Sequence, residues 1–310
     1  MEESHLKNCF NTNHLILTEG AVGQRLEHEF SIRPDADIMY ASLIYDSAGR
    51  DALTSIYCSY LKVAKDYKLP ILLLTNTRRA NKERVLRSKY RDKNMMKDYA
   101  AFLGELSSKY ACETFIGGMM GCRGDAYSGI EGLNTDEAIE YHSWQMDMFD
   151  LEAIDFLFAG IMPALPEALG MAKVMEKSKL PYIISLMING NGTLLDGSTI
   201  HDAILKIDAS TELNPLCYMT NCVHPAILRE ALSQKENRTE LVRKRFWGIQ
   251  ANAINLSPEE LDNSKTLKTT TAKELAEEFL LLHRSFPLKI YGGCCGTDDS
   301  HIIEIAKALR

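Results

Sequence analysis

The chain has 310 residues, a length that suits one large domain or two domains of ordinary size. Its composition, 45% hydrophobic and 25% charged, is typical of a globular protein and excludes a wholly disordered or fibrous chain. The formal net charge is −7 and no block of basic residues is present, which argues against nucleic acid or an anionic membrane surface as a partner.

The sequence carries no signal for a membrane or for export. No apolar run approaches the roughly 18–20 residues that a transmembrane helix needs. The N-terminal residues Met1-Glu2-Glu3-Ser4-His5 lack the basic and then apolar pattern of a secretory signal. We therefore expect a cytoplasmic protein, in which the 8 irregularly spaced cysteines are not a disulfide framework.

Short apolar runs that are typical of strands alternate with segments of helical spacing. The predicted strands are 14–18, 71–75, 114–117, 155–159, 182–187, 216–220, 246–250 and 288–291. The predicted helices lie near 50–68, 92–109, 135–152, 164–178, 199–207, 225–233, 272–284 and 299–310. Three capping boxes support helix starts, and they pair Asn134 with Glu137, Ser257 with Glu260, and Thr271 with Glu274.

Eight strand–helix alternations over this length predict an α/β fold, a (β/α)8 TIM barrel, with residues 1–310 forming a single domain. A doubly wound open sheet is the alternative, because alternation alone does not show closure. The segment 30–48 is predicted to be a long loop after the first strand rather than a ninth strand.

Cysteines follow two of the predicted strands, at the barrel end where functional residues lie. Cys222 follows the sixth strand, and Cys294 and Cys295 follow the eighth within the run Gly292-Gly293-Cys294-Cys295-Gly296-Thr297. Three converging thiolates could bind zinc and leave a fourth position for substrate. Such a site would deprotonate an incoming thiol yet leave its sulfur nucleophilic, which favours S-alkylation over hydrolysis.

The remaining candidates are less specific. Arg123 lies in the loop after the third predicted strand and either anchors a substrate carboxylate or pairs with Asp125. His224 is predicted to be a turn residue or to support a metal ligand. Cysteines outside the motif are predicted to be buried hydrophobic residues, with Cys122 as a possible reactive exception; they are Cys9, Cys58, Cys112, Cys122 and Cys217.

These motifs resemble those of the homocysteine S-methyltransferase family, zinc-dependent (β/α)8 barrels that include betaine–homocysteine methyltransferase. The run 292–297 is similar to the family's terminal motif, Asn221-Cys222 resembles its other zinc-ligand motif, and the resemblance spans residues 14–310. The resemblance implies that Cys222, Cys294 and Cys295 bind Zn²⁺ and so act in catalysis.

The resemblance also implies a reaction and its partners. A methyl group would move from a small sulfonium or quaternary ammonium donor to a thiol, foremost homocysteine, which would give methionine. The partners are then a small-molecule thiol acceptor and a methyl donor, and the oligomeric state stays open. Arg123 and Asn221 belong to the predicted substrate-binding set.

Two positions depart from the family's pattern. Glu19-Gly20-Ala21 stands where the family usually has Asp-Gly-Gly, so Glu19 and the amides of Gly20 and Ala21 are expected to hold the acceptor's amino and carboxylate groups. Gly160-Ile161 stands where the family usually has Glu-Thr, whose glutamate holds the amino group of homocysteine. A thiol other than homocysteine therefore stays open as the acceptor.

Two other functions remain open at this point. One is a zinc hydrolase, which would want histidine or carboxylate ligands and a general base, and only His224 is near in sequence. The other is a non-catalytic barrel that stores zinc or senses oxidation through its adjacent thiols.

Overall fold

Eight parallel strands form a closed barrel in the computed structural model, which describes residues 4–255 and 269–310. Each strand pairs with the next along the chain, and β8 pairs with β1. This closure confirms the predicted (β/α)8 fold and rules out the open sheet. The strands are β1 (Ile16–Thr18), β2 (Ile71–Leu74), β3 (Thr114–Gly121), β4 (Phe156–Met162), β5 (Tyr182–Leu186), β6 (Cys217–Val223), β7 (Phe246–Ala251) and β8 (Ile290–Gly293).

Helices surround the barrel, and all eight predicted helical regions are helical. The helices are α1 (His5–Thr12), α2 (Gly23–Phe30), α3 (Ser47–Tyr67), α4 (Lys82–Arg87), α5 (Met95–Ser107), α6 (Thr135–Asp147), α7 (Leu165–Met175), α8 (Ile200–Ser210), α9 (Pro225–Ser233), α10 (Glu240–Arg245), α11 (Ala272–Ser285) and α12 (Asp299–Leu309). The sequence analysis missed α1, α2, α4 and α10. No helix in the ranges that the structure describes is long and apolar enough to cross a membrane.

The capping predictions hold where they can be seen. Asn134 and Thr271 each form a complete capping box with the glutamate three residues later. The pair Ser257 and Glu260 lies outside the described residues. The segment 30–48 pairs with no barrel strand and contains a 3-10 helix, Ala41–Tyr45, which agrees with its prediction as a loop.

The amino end of the barrel is closed by α1. Leu6, Cys9 and Phe10 of this helix pack with inward-facing strand residues such as Phe156 and Ile290 in one buried cluster. Burial of these side chains leaves no space at that end of the barrel. The barrel interior is therefore filled at this end, and functional residues of such barrels lie at the opposite, carboxyl ends of the strands.

Two strands are irregular close to their carboxyl ends. The pairing of β4 with β5 shifts register between Ala159 and Met162, and that of β6 with β7 shifts between Asn221 and Val223. Ile161 (φ 29°) and Cys222 (φ 61°) lie at these bulges with left-handed backbone. A non-glycine residue there costs roughly 1–2 kcal/mol, so the surrounding structure must impose the conformation.

Candidate metal and substrate site

Three of the predicted site residues meet at the carboxyl end of the barrel. The Sγ atoms of Cys222, Cys294 and Cys295 lie within 4.8 Å of one another. Cys222 and Cys294 are joined as a disulfide, with their Cα atoms 5.4 Å apart. Residues 72 positions apart in sequence therefore share one cluster, and their binding of a metal stays a prediction.

The β6 bulge positions Cys222. Asn252, which follows β7, donates its side-chain N–H to the Cys222 carbonyl at 2.8 Å. This hydrogen bond helps to hold Cys222 in its left-handed conformation. The Asn221 side-chain nitrogen Nδ2 lies 3.9 Å from Cys222 Sγ, and Ser185 Oγ donates to the Asn221 side-chain oxygen Oδ1. Asn221 thus points its N–H toward the sulfur, where it would stabilise a thiolate.

A tight turn presents the two adjacent cysteines. The Cys294 amide donates to the Ala251 carbonyl at 2.7 Å, and Thr297 Oγ1 donates to the Cys294 carbonyl at 2.7 Å. A Cβ on Gly293 would lie 2.7 Å from Thr297 Cβ, and Gly296 has a φ of 80°. The motif therefore needs glycine at 293 for space and at 296 for its left-handed backbone.

The donor set fits a tetrahedral metal ion such as zinc. Zinc–sulfur bonds of about 2.3 Å in tetrahedral geometry place sulfurs about 3.8 Å apart. The three sulfurs already lie within 4.8 Å of one another, so small side-chain rotations reach that spacing. Only the reduced chain offers all three as thiolates, because the disulfide occupies two of them.

A cavity of 540 Å³ lies beside the sulfurs. Its lining includes the three cysteines and four of the predicted substrate residues, which are Glu19, Gly20, Ala21 and Asn221. Apolar side chains such as Met119 and Ile161 form another part of the wall. This volume is within the range of small-molecule sites.

Glu19 is the buried carboxyl group of this cavity. Its side chain is 5% exposed, and burial raises the pKa of Glu19 to about 8. Within residues 4–255 and 269–310, Glu19 Oε2 has no hydrogen-bond partner. An unpartnered buried carboxyl oxygen is suited to a cationic group of a ligand, which would restore the ionised form.

Two predicted contacts are placed differently from expectation. Arg123 does not line the cavity; its Nη2 lies 3.7 Å from Glu83 Oε1, and its guanidinium lies over the Tyr141 ring. The Asp125 partner considered from the sequence is thus replaced by Glu83. The Ala21 amide donates to Thr297 Oγ1 at 3.1 Å, so of the two predicted amides only that of Gly20 stays a candidate for a substrate carboxylate.

The structure adds cavity residues that the sequence analysis did not select. Arg78 lies three residues beyond Thr75 in the β2–α4 connection, Tyr40 lies in the segment 30–48, and Glu27 lies in α2. Tyr40 donates its hydroxyl hydrogen to Glu27 Oε1, and burial raises the pKa of Tyr40 well above its usual value. The position of Arg78 in the connection that follows β2 was the available signal.

Of the other cysteines, Cys9, Cys122 and Cys217 are buried as predicted, whereas Cys58 and Cys112 are only half-buried, which corrects the prediction for these two. Burial raises the pKa of Cys9 to about 12 and that of Cys122 to about 11. Cys122 is buried, so it does not fit the reactive exception. His224 caps α9, where its Nδ1 accepts from the Ala226 amide at 3.3 Å, as a turn residue would.

Comparison with known proteins decides the family. Residues 16–309 match the family model described as homocysteine S-methyltransferase. The chain belongs to this family. It is therefore a methyltransferase that acts on thiols, and the resemblance noted in its motifs is confirmed. No curated protein matches its sequence significantly.

Solved structures similar to this methyltransferase share its fold. The homocysteine methyltransferase MmuM from Escherichia coli in its metallated form superposes with a TM-score of 0.76 at 15% identity, covering 98% of each chain. Its oxidized form gives a TM-score of 0.73 at 16% identity and covers 98% of this chain and 99% of that one. At these identities the likeness shows the barrel fold alone.

Proposed function

We propose that the chain is a single-domain, zinc-dependent S-methyltransferase that transfers a methyl group from a small sulfonium or quaternary ammonium donor to a thiol. Homocysteine, which would yield methionine, is the leading acceptor. The observation that carries the proposal is the clustering of the Cys222, Cys294 and Cys295 sulfurs within 4.8 Å beside a 540 Å³ cavity.

Cys222, Cys294 and Cys295 would hold the metal in the reduced chain. A bound zinc ion would supply a thiolate at neutral pH by lowering the pKa of the acceptor's thiol. The metallated form of E. coli MmuM supports a metal in a barrel of this fold. The need for reduced thiols also leads us to propose a cytoplasmic location.

Glu19 and its surroundings would bind the acceptor. Its carboxyl group faces the same cavity as the cysteines, so an acceptor with its sulfur at the cluster can place an amino group at Glu19. The ammonium charge would lower the pKa of Glu19 and stabilise the carboxylate in a buried site. The Gly20 amide is the remaining candidate for the acceptor's carboxylate.

The methyl donor would enter from the apolar side of the cavity. A negatively charged thiolate centre favours a cationic donor, and the tyrosine rings on the cavity wall offer cation–π contacts. The thiolate sulfur forms the new S–CH₃ bond as the donor's bond to the same methyl group breaks, and the donor leaves as a neutral sulfide or amine. Positioning of the two substrates would supply much of the rate.

Purification under reducing conditions without added zinc, followed by metal analysis and a methyl-transfer assay, tests this function. We expect about one zinc per chain and methylation of homocysteine or another thiol. Cys294→Ser should lose both the metal and turnover, while Cys58→Ser, a cysteine outside the cluster, should keep both. Unchanged turnover in Cys294→Ser, or bound zinc with no methylation of any thiol, would contradict the proposal.

A further inference from the structure

Arg78 is an arginine of the cavity wall. It lines the 540 Å³ cavity and is half-buried. In the part of the chain that the structure describes, its guanidinium takes part in no ion pair and no hydrogen bond. A guanidinium in this position offers five N–H donors in a planar fork, which matches a carboxylate.

The backbone opposite holds the Arg78 side chain in place. A Cβ on Gly121, at the end of β3, would lie 2.8 Å from the Arg78 carbonyl oxygen and closer still to Arg78 Cγ. The arginine stem therefore crosses the end of β3 in space that only glycine leaves open. A stem fixed by packing loses less conformational entropy when the guanidinium binds a ligand.

The charges around Arg78 favour an anion. Burial lowers the pKa of Arg79, and the charges of Arg84 and Arg78 lower it further, so three guanidinium groups share this part of the rim. The neighbouring Cys122 thiol stays neutral, because burial raises its pKa to about 11. Carboxylates also lie here: Glu167 contributes to the raised pKa of Cys122, and Asp125 interacts with Arg79.

The barrel order places Arg78 across the mouth from the sulfur cluster. Arg78 follows β2, Cys222 lies on β6, and four steps around a closed eight-stranded barrel separate opposite strands. Glu19 follows β1, which pairs with β8 next to Cys294. The acceptor thus occupies the β8–β1 side, and the β2–β3 side remains for the second substrate.

We propose that Arg78 is a specificity-determining residue, whose guanidinium binds the carboxylate of a methyl donor and so distinguishes a donor acid from the corresponding ester. This inference rests on the proposed function for the identity of the second substrate. After transfer, the donor leaves as a neutral sulfide or amine that still carries its carboxylate.

Binding of matched probes to the full chain tests the inference apart from activity. The probes are 3-dimethylsulfoniopropanoate and its methyl ester, trimethylglycine and its methyl ester, and homocysteine, each measured by calorimetry. Arg78→Gln should bind the two acids about 10- to 100-fold more weakly and the esters unchanged. Arg78→Lys should bind the acids with intermediate affinity, because lysine keeps the positive charge but lacks the planar guanidinium that pairs with both carboxylate oxygens. Arg91→Gln, which removes an exposed arginine, should match the wild type.

The outcomes separate the inference from the proposed function. The role of Arg78 would be overturned if Arg78→Gln lost affinity equally for the acids and the esters, lost affinity only for homocysteine, or bound the acids as tightly as the wild type does. It would also be overturned if the wild type bound neither acid. Arg78-dependent binding of an acid without methyl transfer would support the role and contradict the proposed function. Transfer from the acids with a raised donor KM and unchanged kcat in Arg78→Gln would support both.

Discussion

Replacement of Glu19 by glutamine should remove a pH dependence that this carboxyl imposes on stability. Burial raises the pKa of Glu19 from 4.5 to about 8. The folded chain therefore holds this proton more tightly than the unfolded chain does. The stabilising contribution is fully present below pH 4.5 and is lost as the pH rises through about 8. At about 1.4 kcal/mol for each pH unit, the loss amounts to roughly 5 kcal/mol across this window.

Urea unfolding of the wild type and Glu19→Gln at several pH values measures the effect. Other titrating groups are common to both proteins, so the difference between their free energies of unfolding isolates Glu19. Between about pH 5.5 and pH 7.5 that difference should move by roughly 3 kcal/mol in favour of Glu19→Gln. Glu277→Gln, at an exposed position, should run parallel to the wild type. Parallel curves for Glu19→Gln would refute the reasoning.

The same carboxyl links acceptor binding to protons. If the acceptor's ammonium group pairs with Glu19, binding near pH 7 releases a proton from this site, because the ligand favours the ionised form. Calorimetry of homocysteine binding in buffers of different ionisation enthalpy counts that proton. Glu19→Gln should remove this contribution to the proton release and weaken binding. An unchanged proton count in the variant would contradict contact between Glu19 and the ammonium group.

Two further substitutions test the support of the site. Glu167→Ala should lower the free energy of unfolding by about 3–5 kcal/mol. The reason is that Glu167 Oε1 accepts from the Arg123 backbone amide at 2.7 Å and lies 3.1 Å from His142 Nε2 in a fully buried pair. If urea unfolding shows a loss no larger than that of Glu167→Gln, the prediction is contradicted. Gly293→Ala should lower the free energy of unfolding by about 1–3 kcal/mol and reduce the amount of bound metal, because the added Cβ would press on Thr297. Gly132→Ala is the matched control. Equal metal content in the two variants would disprove the spatial argument.

The barrel was predictable because its strands and helices carry local signals. Apolar runs such as Ile71–Leu74 and caps such as Asn134 mark elements whatever their neighbours are. Strand ends were predicted less well, since β3, β4 and β6 each run three or four residues beyond their predicted limits. The glycines at the end of β3 and the sequences at the bulges of β4 and β6 are locally typical of loops. These residues belong to the sheet because they pair with the neighbouring strands.

The cavity wall was predictable only where a motif marked it. The glycine–cysteine run predicted the turn at Cys294, and its glycines have the spatial roles that such a turn needs. The choice of Arg123 over Arg78 followed from loop position alone. Arg123 pairs with Glu83 outside the cavity, whereas the absence of a side chain at Gly121 leaves space for Arg78 to line it. Both are contacts between distant segments, which sequence spacing does not encode.

The bulge at Cys222 connects the fold to the proposed chemistry. In a regular strand consecutive side chains point to opposite faces, so Asn221 and Cys222 could not both line the cavity. Both do, because the register shift between Asn221 and Val223 turns the backbone at Cys222. The left-handed conformation costs roughly 1–2 kcal/mol, and the Asn252 contact to the Cys222 carbonyl offsets part of that cost. The strain is thus what allows one strand to present both an amide and a sulfur to the same cavity.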